Sequence, residues 1–249
     1  MSEWPQGYTR TVLDTVDSTL DEGRRRLANF GGPEWIMARA QTAARGRRGR
    51  AWSNPQGNFA ATLVLHPDEP PAQAALRSFV AAIALSDALA SLTGRPEQIS
   101  LKWPNDVLLN GGKVAGILLE SAGAGAQISH LLIGIGVNLI GVPDAGQLEE
   151  NAVRPVSVAS ETGVTVAQDD FLDTLAAAYA NRETQFRTFG FAPIRTAWMM
   201  QAARLGDVIT ARTGAAETTG TFQDVDMQGQ LILETSQGRA AIAAADVYF

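Results

Sequence analysis

Apolar and polar positions change period several times along the chain, and each change marks an element. Residues 9–15 alternate weakly and predict a first strand. Asp17-Ser18-Thr19 follows, a helix N-cap signature, and the helix is expected to run to about Phe30 before Gly31-Gly32-Pro33. Residues 35–40 and 59–65 read as strands, and residues 41–58 between them as one long loop. Such loops are uncommon in compact domains unless they bind something. Residues 72–92 show helical spacing and high alanine content, predicting a long core helix.

A β-rich stretch comes next. Residues 99–103, 107–109, 114–120 and 128–139 are apolar runs rich in β-branched residues, with Asn110-Gly111-Gly112 as a hairpin turn and 121–126 as a second turn. Residues 140–155 predict a mobile loop. Residues 168–189 and 192–200 predict two more helices, with Trp198 on the buried face of the second. The composition then shifts. Short strands at 208–212, 217–224, 229–234, 240–243 and 247–249 are punctuated by Gly214, Gly220, Gly229 and Gly238. They predict a small antiparallel barrel, so the expected division is 1–203 and 204–249.

Charge is unevenly placed. The chain of 249 residues carries a formal net charge of −6, yet Arg45-Gly46-Arg47-Arg48-Gly49-Arg50 packs four arginines into one turn ahead of Trp52. Net acidity argues against general nucleic-acid binding. Guanidinium forks match phosphate or carboxylate oxygens, and Gly46 and Gly49 are expected to take positive φ so that backbone approaches a ligand closely. The turn therefore reads as an anion-binding loop, against the blander alternative of a solvated basic patch. Cysteine is absent and only His66 and His130 occur, which leaves no thiolate zinc site and no certain metal site. No signal segment opens the chain and no run appears long enough to span a bilayer, so a cytoplasmic protein with no membrane partner is expected.

Other candidates are ambiguous singly. Lys102-Trp103-Pro104-Asn105-Asp106 is either a turn with an internal ion pair or the flank of a nucleotide. Lys113 is either a solvated strand end or an ammonium aimed at a carboxylate or acyl phosphate. Gly134-Ile135-Gly136-Val137-Asn138 lacks the third glycine and following helix of a dinucleotide fingerprint.

Together and in this order, these segments resemble the bacterial biotin protein ligases. The signatures are Arg-Gly-Arg-Arg-Gly, Lys-Trp-Pro-Asn-Asp, the downstream lysine with Ala-Gly-Ile-Leu, and Gly-x-Gly-x-Asn. The resemblance implies an α+β fold: a mixed central sheet packed with helices, class II synthetase-like, plus a C-terminal SH3-like β-barrel. It implies ATP with Mg2+ and biotin as small-molecule partners, a biotinyl-5′-AMP intermediate, and a biotin carboxyl carrier domain as acceptor. Lys113, Arg47 and Asp106 are the implied catalytic residues. Ser18, Thr19, Gln41, Arg45, Gly46, Arg47, Lys113 and Gly116 are implied for biotin. Arg45, Arg47, Arg48, Arg50, Trp52, Asn105, Asp106 and Asn138 are implied for the nucleotide, with Trp52 over the adenine. Ala44 departs from the usual glycine, and Leu20 from a usual polar residue. A strand starting near Thr9 leaves no room for an N-terminal DNA-binding module, so a monofunctional ligase without specific nucleic-acid binding is expected. A homodimer is possible, with residues 128–137 as the candidate edge strand. The alternatives are a lipoate ligase or octanoyl transferase on the same fold, and a small nucleic-acid-binding module.

Overall fold

Seven strands form one mixed sheet in the order β1-β2-β3-β7-β6-β5-β4. They are β1 (Thr9–Val16), β2 (Glu34–Gln41), β3 (Phe59–Leu65), β4 (Ile99–Lys102), β5 (Asp106–Leu109), β6 (Gly112–Ala122) and β7 (His130–Val137). The computed structural model describes residues 3–123, 128–143, 153–214, 216–243 and 245–248. Only β1 and β2 run parallel; the other neighbours are antiparallel. β3 is buried at every position and sits with β7 at the sheet's centre. The strand proposed as a dimer edge, 128–137, is therefore interior, paired to β3 and to β6. Its unbroken apolar pattern marks burial on both faces rather than an edge. The true edges are β1 and β4.

Helices α3 (Arg77–Thr93) and α5 (Gln168–Phe189) cover one face, with α2 (Pro71–Ala75) packed on α3 and α6 (Phe191–Met199) on both. The expected helix over 72–92 is thus two segments meeting at Leu76. Pro71–Thr93 is, contrary to expectation, long and apolar enough by composition to cross a membrane. Here it is a core helix, buried along most of its length against sheet and α5. Arg77 on it is almost fully buried and is matched by Glu69 and Glu183 at 2.7 and 2.8 Å. On the opposite face lies α1 (Thr19–Arg26), whose Leu20 packs with Ile36, Val64 and Leu132. α4 (Val158–Thr162) was not expected. Its signal is a capping box, with Ser157 and Ser160 each satisfying the other's backbone N–H.

The turn between β5 and β6 is as read: Asn110 and Gly111 take φ of 50° and 76°, the two-residue hairpin geometry. β8 (Val208–Thr213), β9 (Ala216–Val225), β10 (Leu231–Thr235), β11 (Gly238–Ile242) and β12 (Asp246–Tyr248) make a five-stranded antiparallel sheet, ordered β11-β10-β9-β8-β12. This C-terminal unit is tied to the core. The buried indole N–H of Trp103 donates to the Gly229 carbonyl at 3.0 Å, and Gly229 sits against Phe79 and Leu76 with no room for a side chain. Of the predicted loops, residues 124–127 and 144–152 lie outside the described residues.

Candidate active site

A cavity of about 240 Å³ opens over the α1 face of the sheet, walled by the arginine turn, the start of β6 and β12. At one end, backbone and hydroxyl groups form a fixed polar chain. Ser18 and Thr19, both buried, begin α1. The Thr19 N–H donates to Gln41 Oε1 at 2.8 Å, and the Thr62 hydroxyl donates to Thr19 Oγ1 at 2.9 Å. Leu20 also lines this end, and an added Cβ at Gly134 would meet its side chain at 2.9 Å. The apolar residue at Leu20 and the glycine facing it are thus one fitted pair.

The arginine turn is a closed hairpin. Trp52 N–H donates to Ala44 O at 2.9 Å, and Gly46 N–H donates to Arg50 O at 2.8 Å. Gly46 is not a positive-φ position: its φ is −104°, and the left-handed residues are Arg48 (57°) and Gly49 (72°). Glycine at 49 is what such a turn requires, and Arg48 takes the conformation despite its Cβ. The arginines then divide. Arg45 turns to the carboxylates of Asp21 and Glu120, so although it lines the cavity its guanidinium is not at the end where Asp106 lies. Arg47, Arg48 and Arg50 converge instead on Asp246 at 3.5, 2.5 and 3.1 Å. Arg48 is half exposed and outside the cavity wall, whereas Arg47 and Arg50 line it. Burial pulls the Arg47 guanidinium below the usual arginine range, with Asp246 opposing.

The middle of the cavity is built by Lys113, Trp52 and two glycines. The Trp52 indole lies flat on the backbone of Gly116 and Gly136, where a Cβ would approach it to 3.2 and 2.6 Å. Lys113 Nζ stands 5.5 Å from the Trp52 ring centroid and pairs with Asp106 Oδ1 at 2.7 Å. Asp106 Oδ2 faces Lys102 at 3.8 Å, and burial holds the Lys102 ammonium below the usual lysine range. Asp106 therefore bridges two ammonium groups. Asn105 is anchored by donating to the Ile117 carbonyl. Lys102-Trp103-Pro104-Asn105-Asp106 is the β4–β5 connection, with a cis peptide before Pro104. Its alternation sends Trp103 to the C-terminal unit and Lys102 and Asp106 to the cavity.

Asn138, like Arg48, is a candidate that the structure leaves off the cavity wall. Asn138 is buried, donates to Val156 O at 3.1 Å and accepts from Asn58 at 3.3 Å, clamping the chain on either side of 144–152. Sequence reading missed Asp246, Val247 and Tyr248, which wall the cavity from β12. Isolated residues in a barrel strand carry no local signal for this. Among the described residues, no three His, Asp or Glu side chains could hold a metal ion together.

What this arrangement can do is hold two anions against each other beneath clustered cations, with a hydrogen-bonding pocket at one end for a neutral polar head. Residues 12–138 match the Biotin/lipoate A/B protein ligase family, and residues 205–249 match the Biotin protein ligase C terminal domain. The biotin–[acetyl-CoA-carboxylase] ligase of Paracoccus denitrificans is 53% identical over 238 residues, covering 96% of this chain and 99% of that protein. The bifunctional ligase/repressor BirA of Bacillus subtilis is 32% identical over 241 residues, 95% of this chain and 71% of the relative. The biotin protein ligase of Aquifex aeolicus in complex with biotin and ATP superposes with a TM-score of 0.81 at 25% identity, over 96% of this chain and 98% of that one.

Proposed function

Since the chain belongs to the biotin/lipoate A/B protein ligase family, we infer that it is an ATP-dependent biotin–protein ligase acting on a biotin carboxyl carrier domain. A carboxylate oxygen of biotin attacks the α-phosphorus of ATP, the α–β anhydride bond breaks, and pyrophosphate leaves. The carrier's lysine amine then attacks the acyl carbon of biotinyl-5′-AMP, AMP leaves, and the amine loses a proton.

The observation that carries this reading is Lys113 on the cavity floor between the Ser18–Thr19–Gln41 end and the Arg47–Arg50 end. An ammonium there offsets the repulsion of carboxylate and α-phosphate, which grows as the two close to bonding distance. Asp106 holds that ammonium in place. Ser18, Thr19 and Gln41 suit the ureido head of biotin, because a site with fixed polar groups rejects ligands that leave them unpaired. Trp52, lying on Gly116 and Gly136 beside Lys113, offers an apolar aromatic face that suits the adenine of the adenylate. Arg47, Arg50 and Lys102 suit the phosphates. Magnesium enters with the nucleotide, as is usual for a small hard cation held largely by phosphate oxygens. The match over 205–249 supports a division into 1–203 and 204–249. Use of ATP and a carboxylase carrier supports a cytoplasmic location, and self-pairing through a sheet edge would use β1 or β4.

Calorimetric titration with biotin, then Mg-ATP, tests the reading. Biotin binding followed by stoichiometric pyrophosphate release supports it. Release driven by octanoate or lipoate instead would move the chain to the lipoyl branch of the family.

A further inference from the structure

Three guanidiniums on one loop meet a single carboxylate from the far end of the chain. Arg48 and Arg50 lie 2.5 and 3.1 Å from Asp246 Oδ2, and Arg47 lies 3.5 Å from Oδ1. Arg47 also donates to the Ala245 carbonyl at 3.1 Å. The Asp246 side chain is 12% exposed and lines the cavity beside Arg47 and Arg50. It thus occupies the place, relative to those arginines, that a phosphate group takes when arginine forks bind it.

We propose that Asp246 is a resident anion on the arginine turn, which the β- and γ-phosphates of the nucleotide displace and which returns as pyrophosphate leaves. This rests on the adenylating reading above. Two physical consequences follow. Without nucleotide, the carboxylate neutralises part of the repulsion among three crowded cations and keeps the turn closed. With nucleotide, the same carboxylate competes for the arginines, because retained beside them it would repel the phosphates it faces. Competition weakens the hold on pyrophosphate, a product that must depart before the acyl adenylate meets its acceptor. Asp246 is on this account a positioning residue that sets phosphate-end affinity, not a catalytic one.

The decisive variant is Asp246→Asn, nearly isosteric and uncharged. Binding of inorganic pyrophosphate to the free enzyme is measured by calorimetry, with inhibition of biotin-dependent adenylation as a second readout. Pyrophosphate should bind about fivefold more tightly, the scale of one partly exposed ion pair, while biotin affinity stays unchanged. Asp246→Glu, which restores the charge, should return pyrophosphate affinity toward wild type. Unchanged or weaker pyrophosphate binding by Asp246→Asn overturns the proposal and leaves Asp246 a structural tether.

Hydrogen exchange on the wild-type protein gives an independent check should the variant misfold. Added pyrophosphate should protect amides of the arginine turn and expose those of β12. Protection of both together means that Asp246 stays in place and the proposal fails. If wild-type protein releases pyrophosphate with octanoate but not biotin, the substrate reading fails while displacement of Asp246 stands.

Discussion

Replacing Gly136 by alanine should damage the cavity through Trp52, and the size of the effect follows from the packing. An alanine Cβ there would lie 2.6 Å from Nε1, 2.7 Å from Cε2 and 3.0 Å from Cζ2 of the indole. Ordinary carbon contacts lie near 3.5–4.0 Å, so the ring must rise by roughly 1 Å. Overpacking of this kind costs about 1–3 kcal/mol. Alanine returns about 0.5–1 kcal/mol, because glycine loses more chain entropy when fixed in a strand. The net penalty of roughly 0–2.5 kcal/mol falls on closure of the arginine hairpin, because Trp52 is its last residue. Gly136 itself is fixed between Ala60 and Gly116 in the sheet. Ligand affinity should therefore drop by up to about 70-fold, since a penalty on the closed form lowers apparent affinity by the same factor. Trypsin should cut the arginine turn faster, while the melting temperature moves little. In a Trp52→Ala background the same substitution should be neutral or slightly stabilising. Calorimetry and limited proteolysis on the four proteins of this double-mutant cycle measure the coupling. An equal penalty in both backgrounds would refute the argument, placing the clash within the sheet.

Lys113→Ala should lower adenylate formation by about 100-fold or more, as loss of a charge-stabilising donor does, with the melting temperature retained; normal single-turnover pyrophosphate release would remove Lys113 from the chemistry. Trp103→Phe strands the Gly229 carbonyl and should cost about 1–3 kcal/mol in urea unfolding, with nucleotide affinity falling more than biotin affinity because the lost tether holds the C-terminal unit that supplies β12. His130 meets Phe30 edge-on at 5.0 Å and His66 at 5.4 Å, and burial and the neighbouring imidazole hold it below its usual 6.5. Below 6.5 the unfolded chain binds the proton first, so stability falls as pH drops through the folded value. His130→Phe should flatten that acid-side slope in melting curves, and an unchanged slope would assign it to other groups.

Local chemistry was legible where a motif's alternation or turn geometry determines direction. Lys102 and Asp106 were read as either an internal pair or nucleotide flanks, and the structure pairs them at 3.8 Å on the cavity wall. The barrel strands followed from their glycine spacing. Three features needed tertiary information that the sequence lacks. Asn138 looked like a ligand residue because it follows a Gly-x-Gly strand end, yet its amide secures two backbone segments. Residues 128–137 looked like an edge because a continuous apolar run does not reveal how many neighbours a strand has. Pro71–Thr93 passes for a membrane helix because a helix packed between a sheet and another helix needs little polar surface. Asp246 was beyond local reading altogether, since only folding brings it to arginines almost two hundred positions earlier (|i−j| = 198 to Arg48).

That long span bears on when the site comes into being during synthesis. The sheet and its helices draw on residues up to Met199, so part of the core can assemble while the later strands, which extend the same core, are still being translated. The cavity at that moment has its floor but lacks one wall, and three crowded arginines have no Asp246 to gather them. A ribosome-bound chain would thus hold a folded but open vessel, unable to shelter a hydrolysable acyl adenylate. Only the arrival of β12 supplies that wall, so its emergence is the event that separates an open cavity from a closed one.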